Sequence, residues 1–195
     1  MMIDKKDITG IILAGGKSSR MGEDKAFLEL KGKPFIEYSI EAVKPLVSEI
    51  MIVSNNPDYD RFNLNRVDDI IQNSGPLAGI YSGLVNSKTD YNLVLSCDIP
   101  LITTEVLKLL INDVEPDIDV VQMVSYGKPM PLIALYKKQC KTLFYKLLQN
   151  NERRLHMALS QCKVKNIMLN SENELFTTNI NTPEELKKIK HVSHY

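Results

Sequence analysis

Residues 8–16 read Ile-Thr-Gly-Ile-Ile-Leu-Ala-Gly-Gly, a short apolar run that ends in two glycines. A run of this length and composition predicts a buried strand that enters a tight loop. Strands buried on both faces are typical of parallel sheets that carry helices on either side. This stretch therefore indicates an α/β fold, with the glycine loop at the carboxyl end of the first strand.

Strand and helix patterns alternate from this stretch to about residue 115. Strands are predicted at 50–53, 66–69 and 91–97, and helices at 34–43, 77–85 and 103–111. The second half is less regular, with strands predicted at 119–124, 132–136 and 164–169 and helices at 138–148, 153–160 and 183–189. Such alternation predicts βαβ units and a parallel sheet. We predict a single Rossmann-like three-layer domain over residues 1–195, with a mostly parallel central sheet and helices on both faces.

The composition excludes several classes of function. The 24 Lys and Arg residues are balanced by 24 Asp and Glu residues, so we expect no nucleic-acid binding. Three widely spaced cysteines without a Cys-x-x-Cys pair exclude a disulfide framework and a zinc ribbon. His156 is the only histidine outside the last five residues, which is too few for a histidine-based triad. With no signal peptide or long apolar run, we expect a cytoplasmic protein that is not in a membrane.

The loop after the first strand has the composition of a phosphate site. Residues 13–25 read Leu-Ala-Gly-Gly-Lys-Ser-Ser-Arg-Met-Gly-Glu-Asp-Lys. Glycines let backbone N–H groups converge on an anion, and the three cations neutralise phosphate charge. The spacing fits neither a Walker A loop nor a dinucleotide fingerprint. A solvated, flexible loop is the alternative, but the position directly after a buried strand favours the phosphate site.

Asp98 follows the predicted strand at 91–97, in the sequence Cys-Asp-Ile-Pro. A carboxylate at this edge of a parallel sheet lies where such sheets bind ligands. Mg²⁺ is commonly held by one or two carboxylates together with phosphate oxygens and water. Asp98 is therefore a candidate magnesium ligand, although it could instead form a turn or cap the next helix.

Three further segments could bind ligands, and each has a simpler structural explanation. Residues 75–79 (Gly-Pro-Leu-Ala-Gly) begin a predicted helix, whose N-terminus suits an anion or a polar base edge. Taken alone, they are better explained as an ordinary helix start, with proline in the first turn and glycine for close packing. Arg153 and Arg154 could clamp a phosphorylated substrate or could lie at a solvated helix start. Asn181 could cap the final helix, which leaves Asn179 unexplained.

Five motifs in this order resemble those of the molybdenum cofactor guanylyltransferase family, within the nucleotidyltransferase superfamily. They are L-A-G-G-x-x-x-R-M-G-x-D-K, G-P-L-A-G, C-D-x-P, E-R-R and N-x-N-T-P-E-E-L, and they span about residues 8–189. The first motif alone would indicate only the superfamily. Cytidylyl-transferring relatives tend to have L-A-A-G where this chain has L-A-G-G, which favours guanine over cytosine.

The resemblance implies an enzyme that transfers GMP from GTP to the terminal phosphate of molybdopterin, releases pyrophosphate and uses Mg²⁺. Residues 8–115 would form a nucleotide-binding half, and residues 116–190 an acceptor-binding half. Molybdoenzymes or cofactor-delivery proteins are further candidate partners. The alternatives are a nucleotidyltransferase that uses CTP or another phosphorylated acceptor, and a non-catalytic nucleotide-binding module.

The resemblance also assigns candidate site residues. The nucleotide site would consist of Leu13, Ala14, Gly15, Gly16, Lys25, Asn55, Asp69, Gly75, Gly79 and Asp98. The catalytic residues would be Arg20, Lys25 and Asp98, of which Asp98 would also hold Mg²⁺. Asp69 would recognise the nucleoside, with Asp68 an equal alternative. The residues on the acceptor side would be Arg154, Asn179 and Asn181.

Two positions depart from the family pattern. The family often has an asparagine at the end of its second strand, where this chain has Val53-Ser54-Asn55. Asn55 is the candidate substitute. Relatives often have His-Pro before the central strand of the second half, but this chain has Met130-Pro131. The acceptor contact that the family makes from this position is therefore not expected here.

Overall fold

A seven-stranded sheet forms the centre of the fold. The computed structural model describes residues 3–15, 25–72, 74–180, 185 and 187. The sheet contains β1 (Ile8–Leu13), β4 (Glu49–Val53), β5 (Asn65–Val67), β6 (Tyr91–Ser96), β7 (Val120–Ser125), β8 (Lys128–Lys137) and β9 (Val164–Met168), in the order β5-β4-β1-β6-β8-β7-β9. A separate hairpin consists of β2 (Glu29–Leu30) and β3 (Lys33–Pro34).

The strand directions confirm the predicted mostly parallel sheet. β1 is parallel to both β4 and β6, and β5 is parallel to β4. β8 is antiparallel to its neighbours β6 and β7, and β9 is parallel to β7. β8 is thus the one strand of this sheet that runs against the others.

Helices cover both faces of the sheet, as predicted. α1 (Phe35–Val43) and α3 (Thr104–Asn112) pack on one face, whereas α2 (Gly75–Asn86), α4 (Cys140–Gln149) and α5 (Leu155–Leu159) pack on the other. Two glycines bring helices close to β1. A Cβ at Gly10 would lie 2.6 Å from Val43 in α1, and one at Gly83 in α2 would lie 2.7 Å from Ile11. No helix in the described part of the chain is long and apolar enough to cross a membrane.

Several predicted boundaries were wrong, for identifiable reasons. The third strand ends at Val67, so Asp69 lies two residues beyond it and not on it. The helix predicted at 153–160 begins only at Leu155, because the N–H groups of Arg153 and Arg154 both donate to the side chain of Glu152. The β2–β3 hairpin was not predicted. Its turn is formed by Lys31 and Gly32, which both have positive φ. The helix predicted at 183–189 lies almost entirely outside the described residues.

Candidate active site

The strand register brings four loops together at one edge of the sheet. Leu13, the last residue of β1, lies opposite Val53 of β4 and Ser96 of β6. Val53 in turn lies opposite Val67, the last residue of β5. Because all four strands are parallel, the residues that follow them meet at the same carboxyl edge.

A cleft of about 830 Å³ opens at this edge. Ligand pockets have volumes of roughly 300–1,000 Å³, so a nucleotide would fit. Its lining consists of strand ends, the loops after them and the start of α2: Leu13, Ala14, Gly15, Lys25, Val53, Ser54, Asn55, Asn56, Asp69, Ser74, Gly75, Pro76, Gly79, Ser96, Cys97, Asp98 and Leu132. The structure thus brings together every predicted nucleotide-site residue that it describes. Gly16 and Arg20 lie outside the described residues.

Asp98 and Lys25 form a charged pair in the cleft. Lys25 Nζ lies 3.9 Å from Asp98 Oδ2, and both side chains are largely buried. The Ser96 hydroxyl lies 2.6 Å from Asp98 Oδ1, to which it donates. Ser96 therefore engages one carboxylate oxygen and leaves the other facing the lysine.

The side-chain oxygen atoms at and beside Asp98 are of the type that binds a hard divalent cation. The Ile180 N–H donates to the Asp98 carbonyl oxygen (2.9 Å), which places Asn179 beside Asp98. The side-chain oxygen of Asn179 is buried and has no hydrogen-bond partner in the described part of the chain. Among the described residues, no three His, Cys, Asp or Glu side chains cluster as a complete metal site. A cation here would need further oxygen ligands, as Mg²⁺ does when it binds phosphates.

The two adjacent aspartates after β5 have different environments. Arg66 forms ion pairs with Asp68 and with Asp60 (2.7 Å), and it donates to the Ser54 carbonyl oxygen (2.9 Å). The Asp68 side chain is 68% exposed and is not part of the cleft lining. Asp69 does line the cleft, and its N–H donates to Oδ1 of Asn55 at 2.8 Å. The geometry thus favours Asp69 over Asp68 for contact with a ligand.

Burial affects both the hydrogen bonding and the pKa of the Asp69 carboxylate. Its Oδ1 atom is buried and has no hydrogen-bond partner among the described residues. Burial raises the pKa of this carboxyl above its ordinary value, and the nearby Asp68 adds to the effect. Gly79 leaves room for it, since a Cβ there would lie 3.6 Å from Asp69 Oδ1. A buried acceptor without a partner is costly, so this atom is suited to receive a donor from a ligand.

The start of α2 forms another wall of the cleft. Gly75 has a φ of 69°, a left-handed conformation that favours glycine, and Pro76 occupies the first turn. The Ser74 hydroxyl donates to the Gln72 carbonyl oxygen and makes no capping bond, so among the described residues this serine does not compete with a ligand for the first N–H groups of the helix. The Arg153 carbonyl oxygen lies 3.9 Å from the position of a Cβ on Gly75, which brings the second half of the chain to this rim.

The two predicted acceptor residues that the structure describes, Arg154 and Asn179, are not part of the cleft lining. Arg154 is 64% exposed and is paired with Glu152 at 2.6 Å. That guanidinium and the two backbone donors lower the pKa of Glu152 to about 2. Asn179 lies next to Asp98, as described above, and Asn181 is outside the described residues. Met130 packs on the core, whereas Leu132, two residues further along β8, lines the cleft.

Comparison with known proteins identifies the family. The model of the MobA-like NTP transferase domain matches residues 10–167. The chain belongs to the MobA-like NTP transferase family. A relative from Flavobacterium johnsoniae, named as a probable molybdenum cofactor guanylyltransferase, is 34% identical over 182 residues, which are 93% of this chain and 96% of the relative. A Clostridium perfringens relative with the same name is 44% identical over 146 residues, 74% of this chain and 73% of its own length.

A solved structure supports the fold of this MobA-like chain. Molybdopterin-guanine dinucleotide biosynthesis protein A from Archaeoglobus fulgidus superposes with a TM-score of 0.82, over 94% of this chain and 97% of its own. At 23% identity the likeness concerns the fold alone. The sequence resemblance and the predicted fold class are both confirmed by these comparisons.

Sequence reasoning missed residues that position the side chains of this MobA-like site. The most informative are Ser96, which holds Asp98 in the cleft, and Arg66, which pairs with Asp68 outside it. Ser96 precedes Asp98 by two residues, and this closeness in the sequence is the signal that could have found it. The role of Arg66 depends on three partners from different loops, which no local pattern indicates.

Proposed function

We propose that this protein transfers GMP from GTP to the terminal phosphate of molybdopterin and releases pyrophosphate. The observation that carries the proposal is a single cleft that contains both a buried, unpartnered carboxylate oxygen, that of Asp69, and the charged pair of Lys25 and Asp98. The first group suits recognition of a base, and the second suits the phosphates. The names of the two relatives, both molybdenum cofactor guanylyltransferases, support the same reaction.

The reaction needs alignment and charge neutralisation more than acid–base chemistry. A phosphate oxygen of molybdopterin attacks the α-phosphorus of GTP, a new P–O bond forms, and the bond to the β-phosphate oxygen breaks. The attacking phosphate is already anionic at neutral pH, so no general base is required. Lys25 and the N-terminus of α2 would stabilise the negative charge of the phosphates, and the cleft would hold the two substrates in line.

Mg²⁺ is the cation that we propose for this site. Asp98 would hold it, and the buried oxygen of Asn179, which has no partner among the described residues, is a second candidate ligand because the Ile180 N–H bonds to the Asp98 backbone. When bound, Mg²⁺ would neutralise charge on the phosphate oxygens. Ser96 would keep Asp98 in one orientation by donating to its other oxygen.

Guanine would be selected by Asp69. Guanine has two adjacent donors, N1–H and the 2-amino group, and a carboxylate accepts both. Cytosine has a 4-amino group but no second donor beside it, so it could satisfy at most one of the two Asp69 carboxylate oxygens. A site built around a donor discriminates strongly against a ligand that lacks it.

The acceptor would approach from the second half of the chain. We propose residues 8–115 as the nucleotide-binding half and 116–190 as the acceptor-binding half of one domain, with Arg154 as the phosphate clamp. Arg154 is exposed, and its guanidinium is paired with Glu152 at the surface, where a second substrate could reach it. The three cysteines are free thiols, which fits the reducing cytoplasm that we propose as the location.

Two-substrate kinetics test this function. Pyrophosphate release from GTP is expected to require molybdopterin. Arg154→Ala is expected to raise KM for molybdopterin by roughly tenfold, the cost of one charge-assisted hydrogen bond, and to leave GTP affinity nearly unchanged. The reason is locality, because Arg154 does not line the nucleotide cleft.

Arg153→Ala is the matched control for this experiment. The Arg153 side chain donates to the Leu148 carbonyl oxygen at 2.9 Å, so its loss is expected to lower thermal stability instead of substrate affinity. Rapid pyrophosphate release without acceptor would contradict the transferase and indicate a hydrolase. Loss of GTP affinity in Arg154→Ala, with unchanged melting temperature, would place this arginine in the nucleotide site.

A further inference from the structure

The residues on either side of Asp69 have little apolar packing. Residues 68–70 follow β5 in the connection to α2 and form no helix or strand. The Asp68 and Ile70 side chains are 68% and 51% exposed, and the next residue that packs against the core is Ile71. Apolar burial therefore contributes little to holding Ile70 in place. A carboxylate that distinguishes one base from another must nevertheless be held in one position, because a mobile one would adapt to several ligands or to water. The packing of Ile71 on the core holds one end of the segment, and polar interactions hold the residues before it.

Hydrogen bonds and an ion pair hold three consecutive residues of this segment. Arg66 pairs with the Asp68 side chain, and Asn55 Oδ1 accepts from the Asp69 N–H at 2.8 Å. Ser82 Oγ accepts from the Ile70 N–H at 2.9 Å. Asn55 lines the cleft and Arg66 belongs to a surface charge network, but Ser82 lies on the buried side of α2 and has no place in the cleft lining.

The Ser82 hydroxyl is a hydrogen-bond acceptor that is held in one orientation. The residue is 0% exposed, and its hydroxyl donates to the Ala78 carbonyl oxygen at 2.9 Å. That bond orients the hydroxyl and leaves a lone pair for the Ile70 N–H. Gly79 lies one helical turn before Ser82 and therefore shares its face of α2. One face of this helix thus provides both the space for the Asp69 carboxylate and the anchor for the residue after it.

We propose that Ser82 is a positioning residue for base selection: by holding the Ile70 N–H it keeps the Asp69 carboxylate in the space beside Gly79. The inference rests on the proposed selection of guanine by Asp69. Without the Ser82 hydroxyl, the backbone after Asp69 loses its acceptor and the carboxylate can shift. Affinity for GTP then falls, whereas affinity for ATP, which offers the carboxylate no N1–H, changes little.

Ser82→Ala tests the proposal, with Ser87→Ala as matched control. Ser87 follows the same helix, is 2% exposed, and likewise accepts from a backbone N–H, that of Thr89, at 3.2 Å. It lies beyond the opposite end of α2 from the cleft. Both variants are therefore expected to lose some thermal stability, but only Ser82→Ala is expected to alter base selection.

Calorimetric titration with GTP and ATP, in Mg²⁺, gives the first readout. Ser82→Ala is expected to reduce the ratio of GTP to ATP affinity by roughly tenfold, as when one charge-assisted hydrogen bond is weakened. Hydrogen exchange of the peptide that contains residues 68–72 gives the second readout. It is expected to become faster in Ser82→Ala and to stay unchanged in Ser87→Ala.

The outcomes separate this inference from the function on which it rests. An unchanged GTP-to-ATP ratio in Ser82→Ala, with a guanine-selective wild type, would overturn the positioning role and leave the proposed function intact. Equal reductions in both serine variants would also overturn it, since they would reflect general destabilisation. A wild type that binds GTP and ATP equally would refute guanine selection, and the positioning role would fall with it.

Discussion

Asp98→Asn is expected to lower the rate of nucleotidyl transfer by roughly two orders of magnitude or more. The substitution keeps the shape of the side chain but removes the charge that would hold the cation against the phosphates. It also removes the ion pair with Lys25, whose Nζ lies 3.9 Å from Asp98 Oδ2. Steady-state rates with saturating GTP and molybdopterin, measured over a range of Mg²⁺ concentrations, would show the loss.

Two control measurements on this variant are its melting temperature and its affinity for GTP in the absence of metal. Ser96, which donates to Asp98 Oδ1 in the wild type, can still donate to the amide oxygen of the substituted side chain. The loop is therefore expected to keep its conformation, and the melting temperature is expected to change little. Near-normal turnover of Asp98→Asn at saturating Mg²⁺ would show that Asp98 is only a turn residue before Pro100.

Asp69→Asn is expected to weaken GTP binding by roughly ten- to a hundredfold, the cost of one or two hydrogen bonds to a charged acceptor. The amide can accept one guanine donor but presents its own NH₂ group to the other. Because burial raises the pKa of Asp69, its carboxyl is protonated at a higher pH than an ordinary aspartate. Wild-type affinity for GTP should therefore fall as pH decreases through that raised pKa, and this loss should be absent from the variant.

Asp68→Asn is the matched control, since Asp68 is adjacent, exposed and paired with Arg66 outside the cleft. It is expected to retain most of the GTP affinity and the pH dependence of the wild type. If Asp68→Asn lost guanine selectivity and Asp69→Asn kept it, the assignment of the two aspartates would be reversed. Calorimetry at several pH values measures both properties.

The sheet and the edge at which ligands bind could be predicted because they depend on local patterns. Buried apolar runs indicated β1, β4 and β6, and the chemistry-bearing residues follow them directly. The reversed direction of β8 could not be predicted, since a short apolar run has the same composition in either direction. The length of β5 was also overestimated, because a three-residue edge strand has almost no periodicity to detect.

The sequence predicted individual residues of the candidate site but not the interactions that position them. Lys25, Asp69 and Asp98 stand out by residue type and position, whereas the difference between Asp68 and Asp69 arises from Arg66, which lies outside the recognised motifs. Ser82 gave no signal either, because a serine inside a helix pattern does not reveal which loop it holds. The proximity of Asn179 to Asp98 depends on a backbone bond between segments that are far apart in the sequence.

Transfer of GMP to molybdopterin is tested most directly by a competition in which GTP and CTP are present together with purified molybdopterin and Mg²⁺, and the products are identified by mass. The guanine dinucleotide is expected as the dominant product, with one pyrophosphate released for each molecule formed. A dominant cytosine dinucleotide would contradict guanine selection by Asp69. Pyrophosphate without either dinucleotide would contradict molybdopterin as the acceptor.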